Sequence, residues 1–486
     1  LWPLRTEAIA NQAQLLCARG SSMSSNKFTA KFAAIRLDSS GAFIPSVLSR
    51  DDHVAIVPQL EAARRAVLME LEAQMPEASR AASGDLRQWV AGAQRAEALD
   101  QNIALPERML ADYRRQRRTS ELGRILAVAK RLREAVDRVV VVGSEDDCSA
   151  ARALFEACCH PYHNEQGRGD RGGRPRIYFA GSDLDNDALQ GLLDMLPHER
   201  AVTTLDERWG MIVIDAPPTK SGNAEDAVIA ERTTKSVVFQ VLFEALWRSC
   251  GGDPAGAAEL AVMIARPPVG VHASACGDTL TRELQQISVF SSAGLLPASV
   301  MGLDIVRLLE GAAAMNERFR TAPIGDNPPL DLAGVFEQLK RKGGAVTSRF
   351  VPWGRGLAAA ANWCQRLSDG ITNLNSEKSN PLSEIPDSRF EISDLTINLI
   401  VESVRRDRIA IASNVLNDDP LTPPPHQILP DIQTAAISAA KAALAAAGRP
   451  AIAIRLPALD ESSLGQLFQM MALSLRVLGV LRVLRG

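Results

Sequence analysis

Four consecutive valines, Val139 to Val142, run into Gly143, after which Ala151, Leu154, Phe155 and Cys158 recur at helical spacing. An unbroken β-branched run predicts a strand buried on both faces, and the pattern that follows predicts a tight turn and a helix. The same alternation continues downstream. Strands are expected at Arg176 to Ala180, Met211 to Ile214 and Leu260 to Ala265, with helices from Asp185 to Met195 and around Val228 and Ile229. A small-residue turn within Ile287 to Ile305 leads into a helix whose apolar face continues through Leu308, Leu309, Ala312 and Met315. Strand and helix in alternation argue for βαβ units and a parallel sheet. A second α/β set begins near Leu332, with a helix around Trp363 and strands at Thr396 to Val401, Ile409 to Ser413 and Ala451 to Leu456. An alanine-rich helix from Asp431 is stopped by Gly448 and Pro450, and the last helix starts near Ser462, with Leu464, Leu467, Phe468, Met471 and Leu475 on one face. Ahead of all this, residues 1 to about 135 read as mostly helical, on faces such as Leu60, Ala63, Val67, Leu68 and Leu71, and Leu122, Ile125, Leu126, Val128, Ala129 and Leu132. The chain therefore divides into 1–135, 136–330 and 331–486.

Composition fits that division. With 486 residues, 46% of them hydrophobic, the chain is long enough for at least two cores. A net charge of -3 gives no reason to expect a nucleic-acid or membrane-surface partner. Seven scattered cysteines form neither a disulfide framework nor a CxxC pair, so a reducing, cytoplasmic setting is expected. The start has no apolar leader core, and Arg476, Arg482 and Arg485 make the last helix one that packs against the body.

Candidate chemistry lies at the strand ends. In parallel sheets, the turn at a strand's carboxyl end and the N–H groups of the following helix receive anions. Ser144 to Ser149 hold that position here, but Glu145, Asp146 and Asp147 make the turn acidic, which also fits a solvated helix start favoured by the helix dipole. A better anion site follows Met211 to Ile214. Thr219, Ser221, Gly222 and Asn223 supply hydroxyls and a close backbone approach, and Lys220 adds charge. The same Ser and Asn would equally cap a helix. Two basic stretches, Arg114, Arg115, Arg117 and Arg118 and the Gly/Arg loop E-Q-G-R-G-D-R-G-G-R-P, are read as a solvated face and a surface connection, with anion binding as the alternative for each.

Three longer stretches carry more. S-S-A-G-L-L-P-A-S-V-M-G-L-D-I with L-L-E-G-A-A-A-M-N-E-R-F, and A-A-G-R-P-A-I-A-I-R-L-P-A-L-D-E-S-S-L-G-Q-L-F, resemble the glucose-6-phosphate isomerase family, and the resemblance runs from about Val139 to Leu475. It implies two three-layer α/β/α sandwich lobes, a homodimer, and interconversion of an aldose phosphate and a ketose phosphate without metal or organic cofactor. A non-catalytic paralogue that binds a sugar phosphate is the alternative.

Moving a proton between C1 and C2 through an enediol needs a carboxylate base and donors for the developing oxyanion, and the substrate phosphate needs hydroxyls and N–H groups. Placed on this chain, the family's Gly-Xaa-Gly-Gly-Ser loop begins at Gly143 and falls on Glu145, Asp146 and Asp147. Its Ser-Lys-Ser-Gly-Xaa-Thr loop matches Thr219, Lys220, Ser221 and Gly222, with Asn223 and Ala224 in the last two positions. The arginine of its Gly-Gly-Arg turn falls on Gln286, with Arg282 one helical turn away. The catalytic glutamate is expected shortly after Trp363, where Asp369 is the nearest carboxylate. No histidine stands between His272 and His426 to match the family's, and the resemblance implies a lysine-bearing tail past Gly486.

Overall fold

The computed structural model describes residues 32–44, 48–74, 102–197, 201–215, 225–265, 276–281, 289–343, 346–372, 394–410 and 427–484. Two sheets organise it. The first has strands β2 (Arg138–Val142), β3 (Arg176–Ala180), β4 (Trp209–Asp215), β5 (Ala261–Ala265) and β6 (Asp278–Thr281), all parallel, in the order β3-β2-β4-β5-β6. The second has the order β1-β9-β8-β7, built from β1 (Arg36–Asp38), β7 (Thr347–Pro352), β8 (Asp394–Val401) and β9 (Ala451–Leu456). Its three later strands are parallel, whereas β1 runs antiparallel to β9 with Leu37 opposite Ile454. The N-terminal region, expected to be mostly helical, thus contributes an edge strand to the far sheet. Three residues, Arg-Leu-Asp, are too few to show a period of two.

The valine run does what a doubly buried strand requires. Val139 and Val141 enter one hydrophobic cluster, while Val140 and Val142 enter another on the opposite face. Ile212 and Ile264 join the first cluster, and Met211 and Met263 the second, so the pleat sorts each strand between two helical layers. The outer layer includes α5 (Asn186–Met195), which supplies Leu192, and α6 (Glu225–Ser249), which supplies Val238, Phe239, Leu242 and Leu246. The inner layer includes α3 (Glu121–Ala135), α4 (Glu145–Cys158) and α8 (Ser292–Val300).

That inner cluster does not stop at the edge of the first sheet. It runs on through α1 (Arg50–Ala73), α9 (Ile305–Thr321), α10 (Pro328–Gly343), α11 (Ala358–Thr372) and α13 (Glu461–Val483) to Leu395, Ile397 and Leu399 of the second sheet. Helix α13 is long and apolar enough to cross a membrane, yet 89% of its apolar window is buried within the protein. Its close crossing with α9 depends on paired glycines. A Cβ on Gly311 would stand 2.2 Å from the Ser462 carbonyl oxygen, and one on Gly465 would stand 2.0 Å from that of Leu308. Phe468 then meets Trp363 of α11 edge-on at 4.7 Å between ring centroids.

Expected elements recur with small shifts. The alanine-rich helix spans Leu429–Ala446 (α12), two residues earlier than its expected start, and none of its residues is buried. Of the strand expected at Ile409 to Ser413, Ala410 makes an isolated bridge to Ile428, and 411–413 lie outside the described residues.

Candidate functional site

From β2 the chain passes to β3 on one side of the first sheet and then to β4 on the other, so the carboxyl ends of β2 and β4 flank a topological switch point. Parallel pairing sets Val142 opposite Val213, which brings the turn after β2 and the carboxyl end of β4 to the same edge. An open α/β sheet binds ligands in the crevice at that place.

The β2 turn is fully described. Gly143 donates its N–H to the Ala180 carbonyl at 2.9 Å, tying the turn to the end of β3. Ser144 and Asp147 form a capping box. The Asp147 carboxylate accepts from the Ser144 N–H at 3.2 Å and from its hydroxyl at 2.8 Å, while Ser144 Oγ accepts from the Asp147 N–H at 3.3 Å. Asp147 is buried, and the buried ammonium of Lys235, from α6, donates to its Oδ2 at 3.3 Å. Glu145 and Asp146, on the outer side of the turn, are neutralised from the other direction. Arg366 of α11 donates to Asp146 and lies 3.4 Å from Glu145, which Arg152 approaches at 3.8 Å. Burial, and next the Asp147 charge, push the Cys148 thiol up, so it stays protonated and unreactive.

Chemically, this turn is a helix start that carries its own anion. The Asp147 carboxylate occupies N–H and hydroxyl donors that an incoming phosphate would need, and Lys235 balances the charge.

Asp369 lies three residues beyond Arg366 on α11. Its Oδ1 accepts from Gln365 Nε2 at 2.9 Å, and the same amide group donates to the Ser348 carbonyl at 2.7 Å. Gln365 Oε1 accepts from the Phe350 N–H at 3.0 Å, so β7 fixes the amide and the amide fixes the carboxylate. Gly143 and Asp369 are the predicted site residues that the structure describes. Thr219, Lys220, Ser221, Gly222, Asn223 and Gln286, with Arg282, lie outside the described residues. Among the described residues, no three His, Cys, Asp or Glu side chains gather as a metal site.

Lys235 and Arg366 escape sequence reading because each meets the turn from a distant helix. Serine followed three residues later by Asp147 is, by contrast, a legible capping signature.

The architecture is a mixed α/β one with two mainly parallel sheets. A hypothetical protein from Thermus thermophilus superposes with a TM-score of 0.60 at 19% identity, covering 92% of this chain and 94% of that one. A glucose-6-phosphate isomerase from Chlamydia trachomatis superposes with a TM-score of 0.52 at 14% identity, covering 80% and 73%. In sequence, the chain is similar to glucose-6-phosphate isomerases. It is 32% identical over 270 residues to that of Symbiobacterium thermophilum, a match covering 54% of each chain. It spans about half the length of this and other curated relatives. No protein-family model matches it.

Proposed function

We propose that the chain is a glucose-6-phosphate isomerase-like enzyme that interconverts glucose 6-phosphate and fructose 6-phosphate. The observation that carries this reading is the similarity to glucose-6-phosphate isomerases, on a chain whose first sheet has a switch point between β2 and β4. In this reading the enzyme serves glycolysis and gluconeogenesis as a cytoplasmic homodimer. The region 1–135 supports two lobes, 136–330 and 331–486.

Each role follows from the chemistry. Asp147 caps its own helix, so phosphate binding is assigned to Thr219, Lys220, Ser221, Gly222 and Asn223, with Gly143 as a backbone contact at the β2 turn and Gln286 as a further polar contact. Asp369, oriented by Gln365, is the carboxylate that takes the proton from C2 of the open-chain aldose and returns it to C1 of the enediol.

A coupled assay that consumes glucose 6-phosphate as it forms from fructose 6-phosphate tests the proposal, with turnover above the uncatalysed rate expected. Calorimetric binding of fructose 6-phosphate without turnover would reject catalysis and leave sugar-phosphate recognition.

A further inference from the structure

Arg114, Arg115, Arg117 and Arg118 are exposed, and the last two lie just after α2 (Leu105–Gln116). These two rim one side of an open groove of about 940 Å³, whose lining includes Tyr113, Arg117, Arg118, Leu126, Lys130 and Arg131. We propose that this groove binds an organic polyphosphate, with the phosphates on the arginine rim and the organic part on the apolar floor. The proposal does not depend on the isomerase reading.

Three observations carry it. The first is that the rim is built. Arg117 has φ 49°, the positive value found for no other non-glycine residue among those described, and that conformation costs free energy unless its surroundings enforce it. Ser120 enforces it by donating its hydroxyl to the Arg117 carbonyl at 2.7 Å while accepting from the Gly123 N–H at 3.0 Å. Gly123 leaves the space that the corner needs, since a Cβ there would stand 1.9 Å from the Arg117 carbonyl oxygen. The corner thereby turns Arg117 and Arg118 back toward the face of α3 that bears Lys130 and Arg131.

The second observation is charge. Arg117 lies over the Tyr113 ring at 5.4 Å, and Arg118 has no partner among the described residues. Lys130 has only a distant, solvated partner, Glu134 at 3.9 Å, and Arg131 is engaged with Asp278 and the Glu259 carbonyl. Four cations thus face two carboxylates, and the groove stays positive. The third is the floor, where Leu126, Ala127 and Ala135 offer apolar surface between the charged walls. A groove of this size with an apolar base and a positive rim suits a small organic anion.

The location separates this groove from the candidate active site. Arg131 bonds residues just before β5 and at the first position of β6, which belong to the amino edge of the first sheet. The switch-point crevice is at the carboxyl edge.

Full-length protein titrated with ATP in low-salt buffer tests the proposal, with inorganic pyrophosphate and adenosine as parallel probes. Saturable ATP binding, weaker pyrophosphate binding and little adenosine binding are expected. The affinity should fall with added salt and drop at least about tenfold in Arg118→Glu, whose exposed side chain is not needed for folding. Arg117→Gly, which accepts the positive φ without strain, should lose affinity while keeping or gaining thermal stability. Failure of both ATP and pyrophosphate to bind overturns the proposal. So does binding that Arg118→Glu and Arg117→Gly leave unchanged, because the anion would then be held elsewhere.

Discussion

Lys235 Nζ stands 3.3 Å from Asp147 Oδ2, and both side chains are withdrawn from solvent at the mouth of the switch-point crevice. Each charge offsets part of the cost of burying the other. Lys235→Met removes the ammonium that faces the buried Asp147 carboxylate, and breaking such a pair costs roughly 3–5 kcal/mol. Urea unfolding of the variant should show a loss of that order, and Asp147→Asn in the same background should restore part of it. Equal stability of wild type and Lys235→Met would mean that water, not Lys235, compensates the carboxylate.

A second buried pair ties the N-terminal region to the last helix. Arg476 Nε donates to Glu70 Oε2 at 2.6 Å between α13 and α1, with both side chains 7% exposed. Arg476→Met should cost about 3 kcal/mol or more, whereas the double change with Glu70→Leu should lie near wild type, because both buried charges are then removed together. Arg366→Ala, which removes a partly exposed ion pair beside Asp146, should change stability by less than about 1 kcal/mol. Chemical denaturation of all three distinguishes them, and a double variant as weak as Arg476→Met would reject the pairing argument.

Asp331 gives the protein an acid-side dependence. Its carboxylate accepts the Gly325 N–H at 2.7 Å and the Asn327 N–H at 3.1 Å, yet burial dominates and pushes its pKa up to about 6. A folded pKa above the ordinary carboxylate value means that the folded state holds the proton more tightly than the unfolded state. The contribution of Asp331 to stability is therefore largest below about pH 4 and is lost as pH rises through about 6. Relative to Asp331→Asn, wild type should gain on the order of 2 kcal/mol between pH 7 and pH 4. Urea midpoints of both proteins at several pH values check this, and a constant difference would exclude titration of Asp331 in that range.

The strength of each sequence signal follows from how local its cause is. Val139 to Val142 announce a central strand because β-branched side chains on both faces need cover on both faces, and the two clusters supply it. Asp185 caps a helix in the way its position suggests, accepting from the N–H groups of Asp187 and Ala188. Arg36–Asp38 gives no such signal, since its place beside β9 is settled by a partner more than 400 residues away. The acidic turn is legible as a helix start, while its neutralisation by Lys235 and Arg366 is not, because those contacts exist only once α6 and α11 have packed. Arg114, Arg115, Arg117 and Arg118 read as a surface face, and only the positive φ of Arg117 reveals that part of the cluster bends over a groove.

Asp369 offers the sharpest test of the proposed chemistry. Gln365 donates to its Oδ1, and an asparagine in its place can still accept that hydrogen bond through its own carbonyl oxygen. Asp369→Asn should therefore fold as wild type does, with an unchanged thermal midpoint. It cannot take the proton from C2, so isomerase turnover should fall by about 10²–10⁴-fold while sugar-phosphate affinity is retained. Gln365→Leu acts one step removed. It leaves the carboxylate chemically intact but removes the donor that orients it, so a smaller loss, mainly in kcat, is expected. Steady-state kinetics of both variants beside calorimetric binding of fructose 6-phosphate separate the two roles. Full turnover by Asp369→Asn would assign the proton transfer to another group.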